Sequence, residues 1–438
     1  MMRDVLSPAG PTGRGLVRRM GRWDMVALVL NCIIGAGIFG LPGTAFRLSG
    51  TYSLAAFAVC AVLVMLFAFC FAEVASRFSG TGGPYVYARD AFGPFAGFEI
   101  GWLLWVARVT AFAALANLFV SYLGIFWPAA VAGPVRVAVL CAIVALITLV
   151  NLVGVRPSAT FTNVFTVGKL SALLFFIIAG LFFITPANYA TGQVPTYSQF
   201  SQTVLILVFA FTGFEMAVIP AGETINPEKN TPFGLITGIT IVVVLYALIQ
   251  FVAIGTLPTL AASTRPLADA SQRMLGSWAA AIVSLGALVS IMGTLNSVAL
   301  VSARLLFAMA EDRHIPRLVG AVHVGFRTPH VALFIGAAAI VALTLSGSFA
   351  ALAAISTATR LLAYAATCAA LLAFRRRTGP APFVAPFGAF AAAAALALTA
   401  WVLTNSAFRE IWMTAAGAVL GAALYYAFKL VNRGSLRA

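Results

Sequence analysis

Residues Asn31 to Pro42, NCIIGAGIFGLP, place a Gly-Ala-Gly triplet and a proline inside a long apolar segment. Glycine weakens a helix and exposes its backbone, and proline removes a donor and clashes with the preceding turn. A helix broken here would aim free N–H groups and the positive end of its dipole at the gap, which is carboxylate-binding chemistry. Phe209 to Pro220, FAFTGFEMAVIP, repeats the arrangement, with Gly213 and Pro220 spaced as Gly35 and Pro42 are. Unwound carbonyls near Phe209 to Thr212 suit an ammonium group. Together the two breaks describe a place for an α-amino acid zwitterion, with side chains left to discriminate.

Four ionisable residues lie deep in the apolar segments. At 1.5 Å per residue, Lys169 lies ~18 Å beyond Pro157 and Arg108 ~22 Å beyond Gly93. Arg360 precedes the Arg375 cluster by a comparable length, and Glu215 sits just past the second break. Intramembrane charges are expensive and mostly functional. The deep charges are thus three cations against one clear anion, because Glu99 lies nearer a helix end. Arginine does not give up its proton. Glu215 can satisfy one arginine, which leaves room for a substrate carboxylate. An Arg108–Glu215 ion pair, or Arg108 bound to a helix-end carbonyl, is the purely structural alternative. Surplus positive charge should disfavour arginine, lysine and polyamines; it fits neutral amino acids and, through Arg108, anionic ones such as glutamate. Lys169 and Glu215 are also candidate protonation sites for proton coupling.

The elements that must position these residues are membrane-spanning helices. The chain has 438 residues, 62% hydrophobic and 9% charged, with a mean hydropathy of +1.01. A soluble domain carries about 25% charged residues, so the composition is that of a polytopic membrane protein. We read twelve apolar segments long enough to span, centred near residues 35, 65, 108, 143, 172, 211, 245, 292, 338, 362, 394 and 420. The arginine-bearing segment 1–22 has no apolar core and reads as a retained tail, not a cleaved signal. The net charge of +15 gathers in alternate loops, for example Arg14, Arg18, Arg19, Arg22 and Arg375 to Arg377. That asymmetry is the positive-inside rule; it puts both termini in the cytoplasm and gives no nucleic-acid footprint.

Other chemistries find little support. Gly35-Ala-Gly37-Ile-Phe-Gly40 matches the dinucleotide pattern GxGxxG but lacks the flanking strand and the acidic residue about 20 positions on. Cys32, Cys60, Cys70, Cys141 and Cys368 sit in apolar segments as packing thiols. His314, His323 and His330 share one loop without metal-ligand spacing, so no metal, cofactor or disulfide is expected. A membrane-embedded enzyme would need clustered acids or histidines, and a channel a polar ring; neither pattern is present. Tyr85 and Tyr87 read as interfacial anchors, and Glu223, Arg304, Glu311 and Asp312 as candidate gate salt bridges.

With these residues in view the chain resembles the amino acid–polyamine–organocation (APC) superfamily of amino acid permeases. The matching motifs are Gly35-Ala-Gly37-Ile-Phe, Phe209-Ala-Phe-Thr-Gly-Phe-Glu215, Gly222-Glu-Thr-Ile-Asn-Pro227, and Ser302-Ala-Arg304 with Ala308 to Pro316 and Thr328-Pro329. The resemblance implies an all-α, LeuT-like fold of two inverted five-helix repeats, about 23–186 and 199–375. Two extra helices follow at about 383–431, within one transporter domain, 23–432, and a tail, 433–438; helices 1 and 6 would be discontinuous. It implies that amides of Gly35, Ala36 and Gly37 hold a substrate carboxylate. A carbonyl near Ile33, with those of Phe209, Ala210 and Thr212 beside Gly213, would hold the amine, and Phe209 would gate. Ala36 stands where many relatives have serine or threonine. Lys169 would replace a sodium ion and tie helix 1 to helix 8, making transport sodium-independent. The expected activity is alternating-access transport of amino acids across the cytoplasmic membrane, by proton symport or exchange, in contact with lipid. The alternative within this fold is a cationic amino acid or polyamine antiporter; an enzyme or channel stands lower.

Overall fold

The computed structural model describes residues 20–35, 37–78, 83–153, 159–190, 194–218, 224–326 and 328–435. Among them the regular structure is all helix, apart from one isolated bridge between Met20 and Thr224. The first apolar segment forms two helices, α1 (Arg22–Ile33) and α2 (Gly37–Ser49), and α3 (Ser53–Ser76) returns across the bundle. Short α4 (Pro84–Phe92) precedes α5 (Pro94–Leu123), α6 (Gly133–Val153) and α7 (Ala159–Leu181). The second broken segment is α8 (Tyr197–Phe211) and α9 (Phe214–Ala217). Then come α10 (Pro227–Thr256), short α11 (Pro266–Leu275), α12 (Ser277–Glu311), α13 (His330–Ser346) and α14 (Phe349–Arg377). Two more, α15 (Gly388–Thr404) and α16 (Phe408–Ser435), close the chain.

Eight stretches of the described residues are long and apolar enough to cross a membrane, and Gly168–Leu181, His330–Ser346 and Gly388–Thr404 are shorter apolar helices. Helical segments bond most of their backbone groups internally, which is what lipid requires of a spanning structure. The protein is a polytopic membrane protein whose described residues form helices.

Two short helices share one construction. α4 and α11 each open on a proline and each end at a glycine, after which a long helix starts at the next residue. Those glycines, Gly93 (φ 95°, ψ 176°) and Gly276 (φ 86°, ψ −172°), hold a backbone conformation that is essentially closed to side-chain-bearing residues. α4 packs on α5, and α11 on α12. Because α5 and α12 pack against each other and Tyr85 of α4 bonds Asp312 just past the end of α12, α4 and α11 mark opposite ends of the molecule.

The site lies between two groups of helices. α1 and α3 pack on α10, and α2 on α8; α5 packs on α12 and α14, α6 on α13, and α7 on α12. On the α4 side, buried Glu73 of α3 takes Arg375 Nε at 2.8 Å and Nη2 at 2.5 Å, and Oε2 also accepts from the Ala385 amide at 2.8 Å. Arg77 adds bonds to Thr378 Oγ1 and the Gly379 carbonyl. This clasp fixes the end of α3 to the end of α14 and to the loop that leads into α15.

Two sequence expectations change here. Tyr85 and Tyr87 are buried, not floating at an interface. Tyr85 donates to Asp312 Oδ2 at 2.5 Å; burial, and then that bond, push its pKa above the ordinary phenol value. Tyr87 packs its ring on Phe78. Arg304 and Glu311 form no ion pair among the described residues, which leaves Arg89–Asp312 at 3.8 Å, while Glu223 lies outside them. A pair this exposed contributes little stability.

Removing one partner of the clasp strands the other. Glu73→Ala should therefore destabilise by about 1–3 kcal/mol, read as a lower melting temperature in detergent, with a smaller further loss when Arg375→Ala is added.

Candidate functional site

The interruption between α1 and α2 follows from its glycines. Ile34 still donates to Leu30 at 2.8 Å, but the Gly35 amide turns back onto the Ile33 carbonyl at 2.6 Å and ends the helix. In the second break Thr212 donates both its amide (3.2 Å) and its hydroxyl (2.8 Å) to the Phe209 carbonyl, and Gly213 adopts φ 115°. The breaks touch. A Cβ on Gly213 would run into the Cys32 carbonyl, and one on Gly37 would sit 2.9 Å from Ala210 Cα. Glycine at these two positions is what lets the two chains meet.

One cavity of ≈ 560 Å³ opens where they meet. From the first break Ile33, Gly35 and Gly37 line it; from the second, Phe209, Ala210, Thr212 and Gly213. Arg108 of α5, Lys169 of α7 and Arg360 of α14 reach the same space, as do Ser290 and Asn296 of α12. Ala36 lies outside the described residues. Volume and mixed lining match ordinary small-molecule pockets of about 300–1,000 Å³.

Backbone groups here divide into engaged and free. The Ile33 carbonyl already accepts from Gly35 and from Tyr246 Oη at 3.2 Å, and the Phe209 carbonyl accepts twice from Thr212. Neither then has a spare lone pair for an amine, and the Gly35 amide has no spare proton for a carboxylate. No described residue donates to the Ala210 or Thr212 carbonyls, and none accepts from the Gly37 amide at the start of α2. These three are among the backbone atoms left to a ligand. Toward the α11 side, Phe209 meets Phe349 edge-on at 6.2 Å, and Phe349 packs with Leu118 against Gly40.

The charged groups choose partners that the sequence left open. Glu215, fully buried, has Oε1 3.3 Å from Arg360 Nη1, while Oε2 accepts from Tyr364 Oη at 2.6 Å and from the Gly213 amide at 2.9 Å. Glu215 thus braces its own break and belongs to Arg360. Arg108, 3% exposed, has no carboxylate within ion-pair distance and donates to no described residue. Lys169 Nζ donates to Asn31 twice, to its carbonyl at 2.9 Å and its Oδ1 at 2.6 Å. It ties α7 to α1, but not to α12 as expected; α12 is bonded through Asn296 to Asn151 of α6 at 2.9 Å.

Sequence reading passed over Asn31, Tyr364, Tyr246 and Asn296. Tyr364 carried a usable signal, since it lies one turn beyond Arg360 on the same helix face. Asn31, a lone amide opening the first motif, carried another. For Tyr246 and Asn296 the spacing offers none.

A buried ion pair that loses one member leaves an uncompensated charge. Arg360→Ala should accordingly cost about 3–5 kcal/mol, and adding Glu215→Gln should restore part of it, seen as a partial recovery of melting temperature and of monodisperse protein.

Comparison with known proteins gives the family. The family model described as amino acid permease matches residues 20–426. The methylthioribose transporter of Bacillus subtilis is 30% identical over 332 residues, covering 72% of each chain. The serine/threonine exchanger SteT of the same organism is 29% identical, covering 73% of this chain and 74% of its own. The branched-chain amino acid permease BcaP, also from B. subtilis, is 28% identical, covering 73% and 72%. A match over nearly the whole chain means that the protein belongs to the amino acid permease family of the APC superfamily.

Proposed function

We propose that the chain is a sodium-independent secondary transporter that moves neutral or anionic amino acids across the cytoplasmic membrane by alternating access. The observation that carries the reading is the single cavity lined by both helix breaks. Its free groups match the substrate's common end: the Gly37 amide at a helix N-terminus for the carboxylate, and the Ala210 and Thr212 carbonyls for the ammonium. Relatives named for serine, threonine and branched-chain amino acids support an amino acid as cargo. A relative named for methylthioribose makes a direct substrate test necessary.

The architecture we infer is LeuT-like, with twelve spans in two inverted five-helix repeats plus α15 and α16. Matched breaks in α1–α2 and α8–α9 support it, as do the matched elbows at Gly93 and Gly276 on opposite ends. Inversion turns one elbow into the other, as it turns one break into the other. Charge asymmetry supports a cytoplasmic α4 side. In this reading Phe209 against Phe349 closes the path toward the α11 side, and the broken helices rock against α5, α6, α12 and α13 to open one side at a time. The Lys169 ammonium, bonded to two oxygens of Asn31, places a fixed positive charge beside the first break, which supports a cycle without sodium.

Counterflow in proteoliposomes tests these points together. Labelled serine, leucine or glutamate should exchange saturably, at rates unchanged within about twofold when choline replaces sodium. A channel would pass the label without saturation, and a tenfold loss without sodium would end the coupling reading. Strong competition by arginine or putrescine would favour the cationic alternative.

A further inference from the structure

We propose that Arg108 is the residue that selects side-chain charge, and that the preferred substrates are dicarboxylic amino acids whose second carboxylate docks on its guanidinium. The proposal deepens the transport reading and rests on it.

Three cations line the cavity, and their compensation is uneven. Arg360 has Glu215 at 3.3 Å. Lys169 is held by neutral oxygens of Asn31. Arg108 has neither: it is 3% exposed, its Nε is buried without an acceptor, and no described carboxylate or carbonyl takes a proton from it. Glu215, the carboxylate between the two arginines, gives Oε2 to Tyr364 and the Gly213 amide and sets Oε1 at ion-pair distance, 3.3 Å, from Arg360 and not from Arg108. A guanidinium keeps its charge in any environment found in proteins, and leaving one uncompensated inside a bundle is costly. Such a group persists where function supplies the missing anion.

Net charge decides which anion. A neutral amino acid brings one carboxylate and one ammonium, and so leaves the surplus of the cavity unchanged. A dicarboxylic amino acid brings one further negative charge and a third polar group. The backbone atoms free at the breaks, the Gly37 amide and the Ala210 and Thr212 carbonyls, already suffice for the part common to all amino acids. Arg108 stands on α5, an uninterrupted helix, so it is placed to read what differs among them. Its planar fork can bond both oxygens of a carboxylate, which an amide cannot reciprocate because its nitrogen is itself a donor. Glutamate and glutamine have nearly the same shape, and the pocket should separate them by charge alone.

Competition against labelled substrate in proteoliposomes provides the test. In the unaltered protein, glutamate and aspartate should compete at least tenfold better than glutamine and asparagine. In Arg108→Gln the apparent KM for glutamate should rise at least tenfold, while glutamine is handled as before; Arg108→Lys should fall between. Equal competition by glutamate and glutamine in the unaltered protein overturns the proposal, and that comparison stands even if a variant fails to fold. Equal loss of both substrates in a folded Arg108→Gln also overturns it, since Arg108 would then hold the shared carboxylate or the framework. Exchange of neutral amino acids that glutamate does not inhibit sinks this proposal and leaves the transport reading intact. Exchange of no amino acid at all removes both.

Discussion

A helix can end inside a membrane only if something other than lipid receives its unpaired backbone groups. This protein meets that constraint by bringing two such ends together. The carbonyl of Cys32 and the backbone of Gly213 are in such close approach that no side chain fits between them, and Gly37 lies as tightly against Ala210. Each break thereby shelters the other. Some of the exposed groups are satisfied locally, as Gly35 satisfies Ile33 and Thr212 satisfies Phe209. What remains is a small set of donors and acceptors oriented into the cavity. The remaining helices hold that arrangement in place.

Much of this was legible in the sequence because breaks and deep charges violate local rules. Gly35 and Gly213 interrupt apolar periods that would otherwise run through, whereas Pro42, which the sequence also marks as a breaker, is accommodated inside α2. Lys169 and Arg108 sit at depths where a bilayer tolerates no unexplained cation. Pairing was not legible. Glu215 could have gone to either arginine, and only the packing of α14 against α5 and α8 brings Arg360 and Tyr364 to it together. The inward turn of the Gly35 amide is likewise a matter of backbone torsion that residue types do not encode. Tyr85 and Tyr87 looked like interface anchors because tyrosine suits that role; tertiary contacts with Asp312 and Phe78 override the preference.

Polar groups in the interior are used at two levels of commitment. Those that brace the framework, such as Glu215 with Arg360 and Asn151 with Asn296, have their partners within the chain. Those facing the cavity from the free end of α2 and from α5 do not. This division follows from desolvation: a group that must bind something transient cannot also be satisfied permanently, and its cost is carried by the rest of the fold.

The Glu73 clasp has a consequence for how the molecule is made. Glu73 and Arg375 are separated by 302 positions in the chain. At a synthesis rate of 5–20 residues per second, about 15–60 s pass between the emergence of the carboxylate and that of its guanidinium partner. During that interval the partner at hand for the carboxylate is Arg77, one turn on at 3.7 Å, and the loop that will cap it does not yet exist. The nascent chain therefore holds this acid by one local pair until the last helices arrive to lock α3 in place.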